Sequence, residues 1–196
     1  MANVDQYSLV VSGDVRETLG LSVTEVSDDS LIANLINRLS TRIESYCGRK
    51  FVAREYTEYH DGDKTNAVIV DNPPIISVSG LWDDIDREFT SNEEITSDNY
   101  VIYSNEGYLS LYNDEVYFSR GVQNIKVVYS GGYTTIPYDL QDACINWVLT
   151  EYRRVKDKHH AFGSKSAPGG SISIDSSAVP QNVKFVLDLY KKKKLG

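Results

Sequence analysis

Residues 28–51 read DDSLIANLINRLSTRIESYCGRKF, and the reading of this stretch decides the fold. Leu31, Ile32, Leu35, Ile36, Leu39, Ile43 and Tyr46 recur at spacings of three and four, the pattern of a helix with one apolar face. Ser27 as N-cap, followed by Asp28 and Asp29, supplies acceptors for free amides and negative charge at the positive end of the helix dipole. Gly48 follows the last turn, where a residue of positive φ commonly closes a helix. From Phe51 onward the three-to-four spacing stops.

Helical spacing returns after Pro137, with Leu140, Ala143, Cys144, Trp147, Val148, Tyr152 and Val155 on one stripe. At about 1.5–3 kcal/mol for each large apolar side chain buried, two such stripes must meet. Neither helix is stable alone in water. A shorter helix is predicted over Gly13–Leu19, capped by Ser12 and stopped by Gly20. Between the long helices, seven strands are predicted: Phe51–Tyr59, Ala67–Val70, Ile76–Trp82, Tyr100–Tyr103, Tyr108–Leu111, Val116–Phe118 and Asn124–Tyr129. Gly, Asn, Asp and Pro turns separate them, and no room remains for βαβ crossovers. The expected class is α+β: a small bundle of three to four helices with an antiparallel β-rich insertion between the two long ones. The bundle takes residues 1–50 and 131–196, and the insertion takes 51–130.

Residues 157–179 are rich in Gly, Ser and Lys with no sustained period, and read as a structureless loop. A last helix from Pro180 to about Tyr190 puts Val183, Val186, Leu187 and Tyr190 on one face and ends in Lys191-Lys192-Lys193-Lys194. It is too short to stand alone, so it needs a surface in its own bundle or in another protein. Charge is unevenly spread over this chain of 196 residues and net charge −8. Residues 51–130 hold five Lys/Arg against fifteen Asp/Glu, whereas 151–196 hold ten against four. That asymmetry suggests complementary surfaces between copies, or a basic end facing an acidic partner. Fourteen Tyr against five Phe point to β-structure and wet contact surfaces. No apolar run approaches the roughly 20 residues of a membrane span, and no leader pattern opens the chain, so an aqueous setting is expected.

Chemistry is sparse. The chain has no GxGxxG, Walker loop, HExxH, GxSxG or EF-hand pattern. Asp61-Gly62-Asp63 resembles the start of a calcium loop, but Asn72 stands where its closing carboxylate belongs, which favours a β-turn. His159 and His160 are adjacent and point apart on a helix, and His60 stands alone beside a turn. Asp83-Asp84 and Glu93-Glu94 read as solvated pairs. Cys47 and Cys144 fall on helix stripes and read as small buried hydrophobes. No catalytic, cofactor or metal residue is therefore expected. Few aromatics interleave with the basic C-terminal part, so autonomous DNA binding is not expected either.

The order of certain motifs resembles that of the head-to-tail connector (adaptor, or head-completion) proteins of tailed bacteriophages. Leu31 to Ile36 is followed by Ile43-Glu44-Ser45-Tyr46-Cys47-Gly48-Arg49-Lys50-Phe51, similar to that family's helix with an IE-Y-GR-F ending. Then come Tyr56-Thr57-Glu58-Tyr59 with Asp61-Gly62, Pro73-Pro74-Ile75-Ile76-Ser77-Val78, and Val127-Val128-Tyr129-Ser130-Gly131-Gly132-Tyr133. Ile136-Pro137-Tyr138-Asp139-Leu140-Gln141-Asp142-Ala143 and Tyr152-Arg153-Arg154 complete the order. The acidic stretch Asp83–Asp98 departs from it.

The resemblance implies a non-enzymatic virion protein that forms a homo-oligomeric ring, a dodecamer, beneath the portal. Such a ring bridges portal and the next neck or tail-completion protein, extends the DNA channel without sequence-specific binding, and helps retain packaged DNA until ejection. Bundle and insertion would form the ring wall. The arm 157–194, with Pro180, Val183, Val186, Leu187, Tyr190 and Lys191 to Lys194, would engage the portal, its loop ordering on assembly. The expected setting is the virion, with the host cytoplasm during assembly. The alternatives are another phage neck or tail-completion protein on a related scaffold, or a non-enzymatic bacterial binding module.

Overall fold

Four helices form close to the predicted places: α1 (Ser12–Leu19), α2 (Asp29–Cys47), α3 (Tyr138–Lys156) and α4 (Gln181–Leu189). The computed structural model describes residues 3–22, 24–113, 115–157, 164–167, 170–173 and 179–192. The chain divides into two units, Met1–Gly48 with Ile136–Gly196, and Arg49–Thr135.

In the helical unit, α2 and α3 bury their stripes on each other. Ile32, Ile36 and Ile43 meet Leu140, Cys144, Trp147 and Val148, all at most 1% exposed. α1 adds Val15, and the N-terminal segment adds Leu9 and Val10. Ser40, a buried hydroxyl in the seam, is satisfied: it accepts a hydrogen bond from the Leu9 amide at 3.1 Å. Gly20 and Gly48 close α1 and α2 with φ of 68° and 69°.

The predicted caps are not what forms. Ser12 lies inside α1, with Val11 at the cap position and no side-chain bond. At α2 the cap position falls to Asp28 rather than Ser27, again without a capping bond. The Asp28 carboxylate accepts instead from Lys156 Nζ at 2.7 Å and the Tyr152 hydroxyl at 2.5 Å, tying the start of α2 to the end of α3. Those two hydrogen bonds, Lys156 first, hold its carboxyl below the usual range. The tie between helices has taken the group that a local cap would use.

The second unit contains six of the seven predicted strands: β1 (Arg54–Gly62), β2 (Ala67–Ile69), β3 (Ile75–Asp83), β4 (Tyr100–Tyr103), β5 (Tyr108–Leu111) and β6 (Gly121–Gly131). They make two antiparallel three-stranded sheets, β1-β6-β3 and β2-β5-β4. Val116–Phe118 is not a strand. Phe118 is an anchor with its ring 1% exposed, while Val116 and Tyr117 beside it face solvent. Phe51 likewise precedes the first strand as a fully buried plug. The core of this unit is Leu81, Leu109, Val127 and Tyr129, with Phe118 and Ile125.

The two ends of this unit meet. The Ala53 amide donates to Tyr133 O at 3.0 Å, Tyr133 N to Phe51 O at 2.6 Å, and Gly132 N to Pro74 O at 2.9 Å. Gly132 has φ 102°, and a Cβ there would lie 2.7 Å from Phe51 O. Only glycine allows the outgoing and returning chain to run this close.

The stretch predicted to be structureless includes an antiparallel hairpin, β7 (Ser164–Ala167) with β8 (Gly170–Ser173). Four-residue strands are too short to show a period against a Gly/Ser background. Among the described residues the fold is thus α+β, four helices with two three-stranded sheets and one hairpin.

One polar cluster holds the Asn72-Pro73-Pro74 corner to the first sheet. Glu58 on β1 accepts from Tyr129 Oη at 2.6 Å, from the Asp71 amide at 2.9 Å and from Asn72 Nδ2 at 3.3 Å, and lies 3.2 Å from His60 Nε2. Asn72 N donates to Tyr129 Oη at 3.1 Å, and Asn72 Oδ1 accepts from the Lys50 amide at 2.8 Å. Burial pushes the Glu58 carboxyl up, but the bonds from His60, Tyr129 and the Asp71 amide outweigh it and hold it low. Burial, then the bond to Glu58, pushes the Tyr129 hydroxyl well up.

Tyr129→Phe leaves Glu58 and the Asn72 amide each short of a partner and should cost about 1–3 kcal/mol in urea unfolding. The Glu58 contribution should be present above the ordinary carboxyl value of 4.5 and disappear as pH falls through the lower folded value. Glu58→Gln should flatten that part of the stability–pH curve.

Candidate interaction surface on the C-terminal helix

α4 is a nine-residue helix, too short to persist without a support. Its support is its own bundle. Val183 and Leu187 are 1% and 0% exposed and pack on α2 and α3. Polar contacts then fix the end of the helix. Cys47 Sγ donates to Leu187 O at 3.5 Å, and the Lys192 amide donates to Cys47 O at 2.8 Å. Tyr46 Oη donates to Asp188 at 2.7 Å, and Tyr190 Oη to Asp139 at 2.7 Å. Lys191 Nζ pairs with Asp188 at 2.7 Å and lies 4.2 Å from the centre of the Tyr46 ring. The Lys191 and Tyr46 bonds lower the Asp188 carboxyl, and Asp188 in turn raises the Lys191 ammonium.

The nine residues expected to form the docking arm therefore divide. Val183 and Leu187 face inward, so neither is open to a partner. Pro180, Val186 and Tyr190 are half-buried, and Lys191 and Lys192 are exposed. Lys193 and Lys194 lie outside the described residues. The apolar groups that α4 does offer are Phe185 and Leu189, 72% and 69% exposed one turn apart. Their spacing by four is visible in the sequence beside the stronger inward stripe of Val183 and Leu187. Lys184 lies beside this row, as does Lys191, which is paired with Asp188.

Elsewhere the expected bystanders have work. His60 is not alone but bonded to Glu58. Asp83 and Asp84 are not a solvated pair. Asp83 accepts from Asn124 Nδ2 at 2.9 Å and the Ser119 amide at 2.6 Å. Asp84, 7% exposed, accepts from the amides of Phe89 at 2.7 Å and Asp86 at 2.9 Å. The Phe89 bond outweighs burial and holds its carboxyl low. In Asp61-Gly62-Asp63, Asp61 and Gly62 end β1, and Asp63 accepts from Thr65 N and Oγ1 at 3.1 and 2.7 Å. His159 and His160 lie outside the described residues.

Cys47 and Cys144 are free and buried, and burial pushes the Cys144 thiol up to about 12. Neither is a poised nucleophile. Among the described residues no three His, Cys, Asp or Glu side chains are grouped to hold a metal, and no helix is long and apolar enough to cross a membrane.

The described surface of this α+β chain thus carries an exposed apolar pair on α4 and an uneven distribution of charge. The head completion protein family matches residues 8–193, and the chain belongs to that family. Its fold is shared by solved structures. One described as the neck of an empty GTA particle computed with C6 symmetry has a TM-score of 0.62 at 12% identity, with 95% of this chain and 91% of that one covered. Another, the neck of a native GTA particle computed with C12 symmetry, has a TM-score of 0.60 at 11% identity, covering 93% and 88%. A third, from the virion of the native gene transfer agent particle, has a TM-score of 0.60 at 12% identity, covering 95% and 91%. No curated protein matches the sequence.

Leu187→Ala should destabilise the protein by about 2–5 kcal/mol. Phe185→Ser with Leu189→Ser should leave stability within about 0.5 kcal/mol per site. Thermal unfolding of both variants checks that the two faces of α4 differ in this way.

Proposed function

We propose that this protein is a non-enzymatic structural subunit of the phage head-to-tail junction. It forms a ring, twelvefold, that joins the portal vertex of the head to the next neck or tail-completion protein. The ring extends the DNA channel and helps to retain packaged DNA until ejection. The observation that carries this reading is the family match across residues 8–193. The fold shared with a neck subunit in a particle computed with C12 symmetry supports the twelvefold ring.

A net charge of −8 suits a lumen that DNA traverses without being held. The subunit works in the virion, after assembling in the host cytoplasm. Two of the similar structures are described as neck, which also favours the nearest alternative, a neck or tail-completion ring not seated directly on the portal.

Under the leading reading the C-terminal arm meets the portal. Val183 and Leu187 hold α4 on its bundle, so the ridge of Phe185 and Leu189 with Lys184, Lys191 and Lys192 makes the contact. Lys193 and Lys194 extend the basic edge in sequence.

Mass photometry of the purified protein mixed with purified portal should show portal complexes carrying twelve added subunits. Phe185→Ser with Leu189→Ser should weaken that binding by at least about tenfold while the protein stays folded. A folded monomer that ignores the portal at all concentrations would contradict the reading.

A further inference from the structure

The acidic stretch that departs from the family pattern contains a preformed knob. Asp84 folds residues 84–89 around its buried carboxylate, through the amides of Asp86 and Phe89, while Arg87 N donates to Asp84 O at 3.2 Å. Arg87 and Phe89 sit at φ 62° and 49°, a conformation that non-glycine residues adopt only when their surroundings hold them there. Those surroundings are visible. The Arg87 guanidinium donates to Gln123 Oε1 at 3.1 Å, and the Phe89 ring packs 5.4 Å from Tyr59. The knob so fixed presents Ile85, 64% exposed, with Asp86 and Glu88 exposed beside it. Holding an apolar side chain out in water, between carboxylates, on a rigid turn gains nothing for this unit's own core.

The helical unit carries the complementary shape. A groove of about 740 Å³ runs along α2 and α3; Leu35 and Leu39, 5% and 4% exposed, and the half-buried Val155 are its apolar lining. Arg38 and Arg42, one turn apart on α2, and Arg154 on α3 line it too. Arg154 is engaged by Glu151 at 2.8 Å, and Arg42 lies 5.4 Å from the centre of the Trp147 ring. Arg38 and Arg42 make no ion pair among the described residues, so two guanidinium groups are left for an incoming anion.

We propose that this groove receives the 84–89 knob of a second copy of the chain, Ile85 entering between Leu35, Leu39 and Val155 while Asp86 and Glu88 meet Arg38 and Arg42. The assignment rests on the ring reading and supplies its subunit contact. Knob and groove are different patches of the chain, one in each unit, so a knob-in-groove contact between copies is head-to-tail, the kind that closes rings when the rotation permits. It also accounts for placing a −10 segment and free arginines on one chain. Phosphates of duplex DNA are the other anion such arginines could take. They would leave Ile85 and the apolar lining unused, and the knob satisfies both.

The experiment uses the full chain carrying Ile85→Cys and Thr41→Cys, Thr41 being a lining residue of the groove, with purified portal present. The native cysteines are buried and stay silent. Mild oxidation should give a ladder of disulfide-linked oligomers, absent from either single variant. Adding Arg38→Glu and Arg42→Glu should cut the ladder by at least about tenfold, and adding Asp86→Lys with Glu88→Lys to that chain should restore it.

Absence of a ladder, or a ladder indifferent to the charge changes, overturns the contact. So does random-sequence duplex DNA bound through Arg38 and Arg42 without a ladder. Electron micrographs of the same samples separate the two claims. Rings without the ladder sink the knob and spare the ring, open chains with the ladder do the reverse, and neither rings nor ladder sinks both.

Discussion

The burial of α2 on α3 is the constraint on which the rest of this chain depends. Each helix alone is a solvated, marginal segment; together they remove Ile32, Ile36, Ile43, Leu140, Trp147 and Val148 from water. At about 1.5–3 kcal/mol for each such side chain, this seam outweighs any local capping term. It explains why Asp28 serves Tyr152 and Lys156 on the partner helix rather than its own first turn. It also fixes what may lie between the helices in sequence. The residues between Gly48 and Ile136 must form a unit whose ends meet, and the bonds joining Phe51 and Ala53 to Tyr133 make them do so. Gly132 is there because a side chain would collide with the outgoing strand.

Within that returning unit, buried polar groups set the corners. Glu58 and Tyr129 hold the Asn72 corner. Asn124, fully buried, accepts from the Gly62 amide and donates to Asp83 and Ser119 O. Asp84 shapes the acidic knob. Each of these side chains has its partners, which is the condition for burying it at all.

Period made the helices legible. One-sided burial at 3.6 residues per turn leaves a stripe that can be read directly, as in Leu31 to Tyr46. Alternation and turn residues located six strands in the same way. Val116–Phe118 misled because a single anchoring ring, Phe118, resembles the inward residue of a strand. Asp83 and Asp84 misled for a different reason: a loop carboxylate has the same sequence appearance whether water or backbone amides solvate it. The outer face of α4 was not legible, since Val183 and Leu187 form the stronger stripe and Phe185 and Leu189 stand out as surface only once that stripe is docked.

The chain is a head completion protein by family, with a bundle that holds its own C-terminal helix, an exposed apolar pair on that helix, and an acidic turn fixed by its own amides. The ring reading joins these features in one object. Its most direct test is a cryo-electron microscopy reconstruction of the neck of the phage particle that carries this chain. The account predicts twelve copies in one ring, lying between the portal and the next neck or tail protein with the DNA path through its centre. Density for a single copy, or a neck in which this chain has no place, would contradict it.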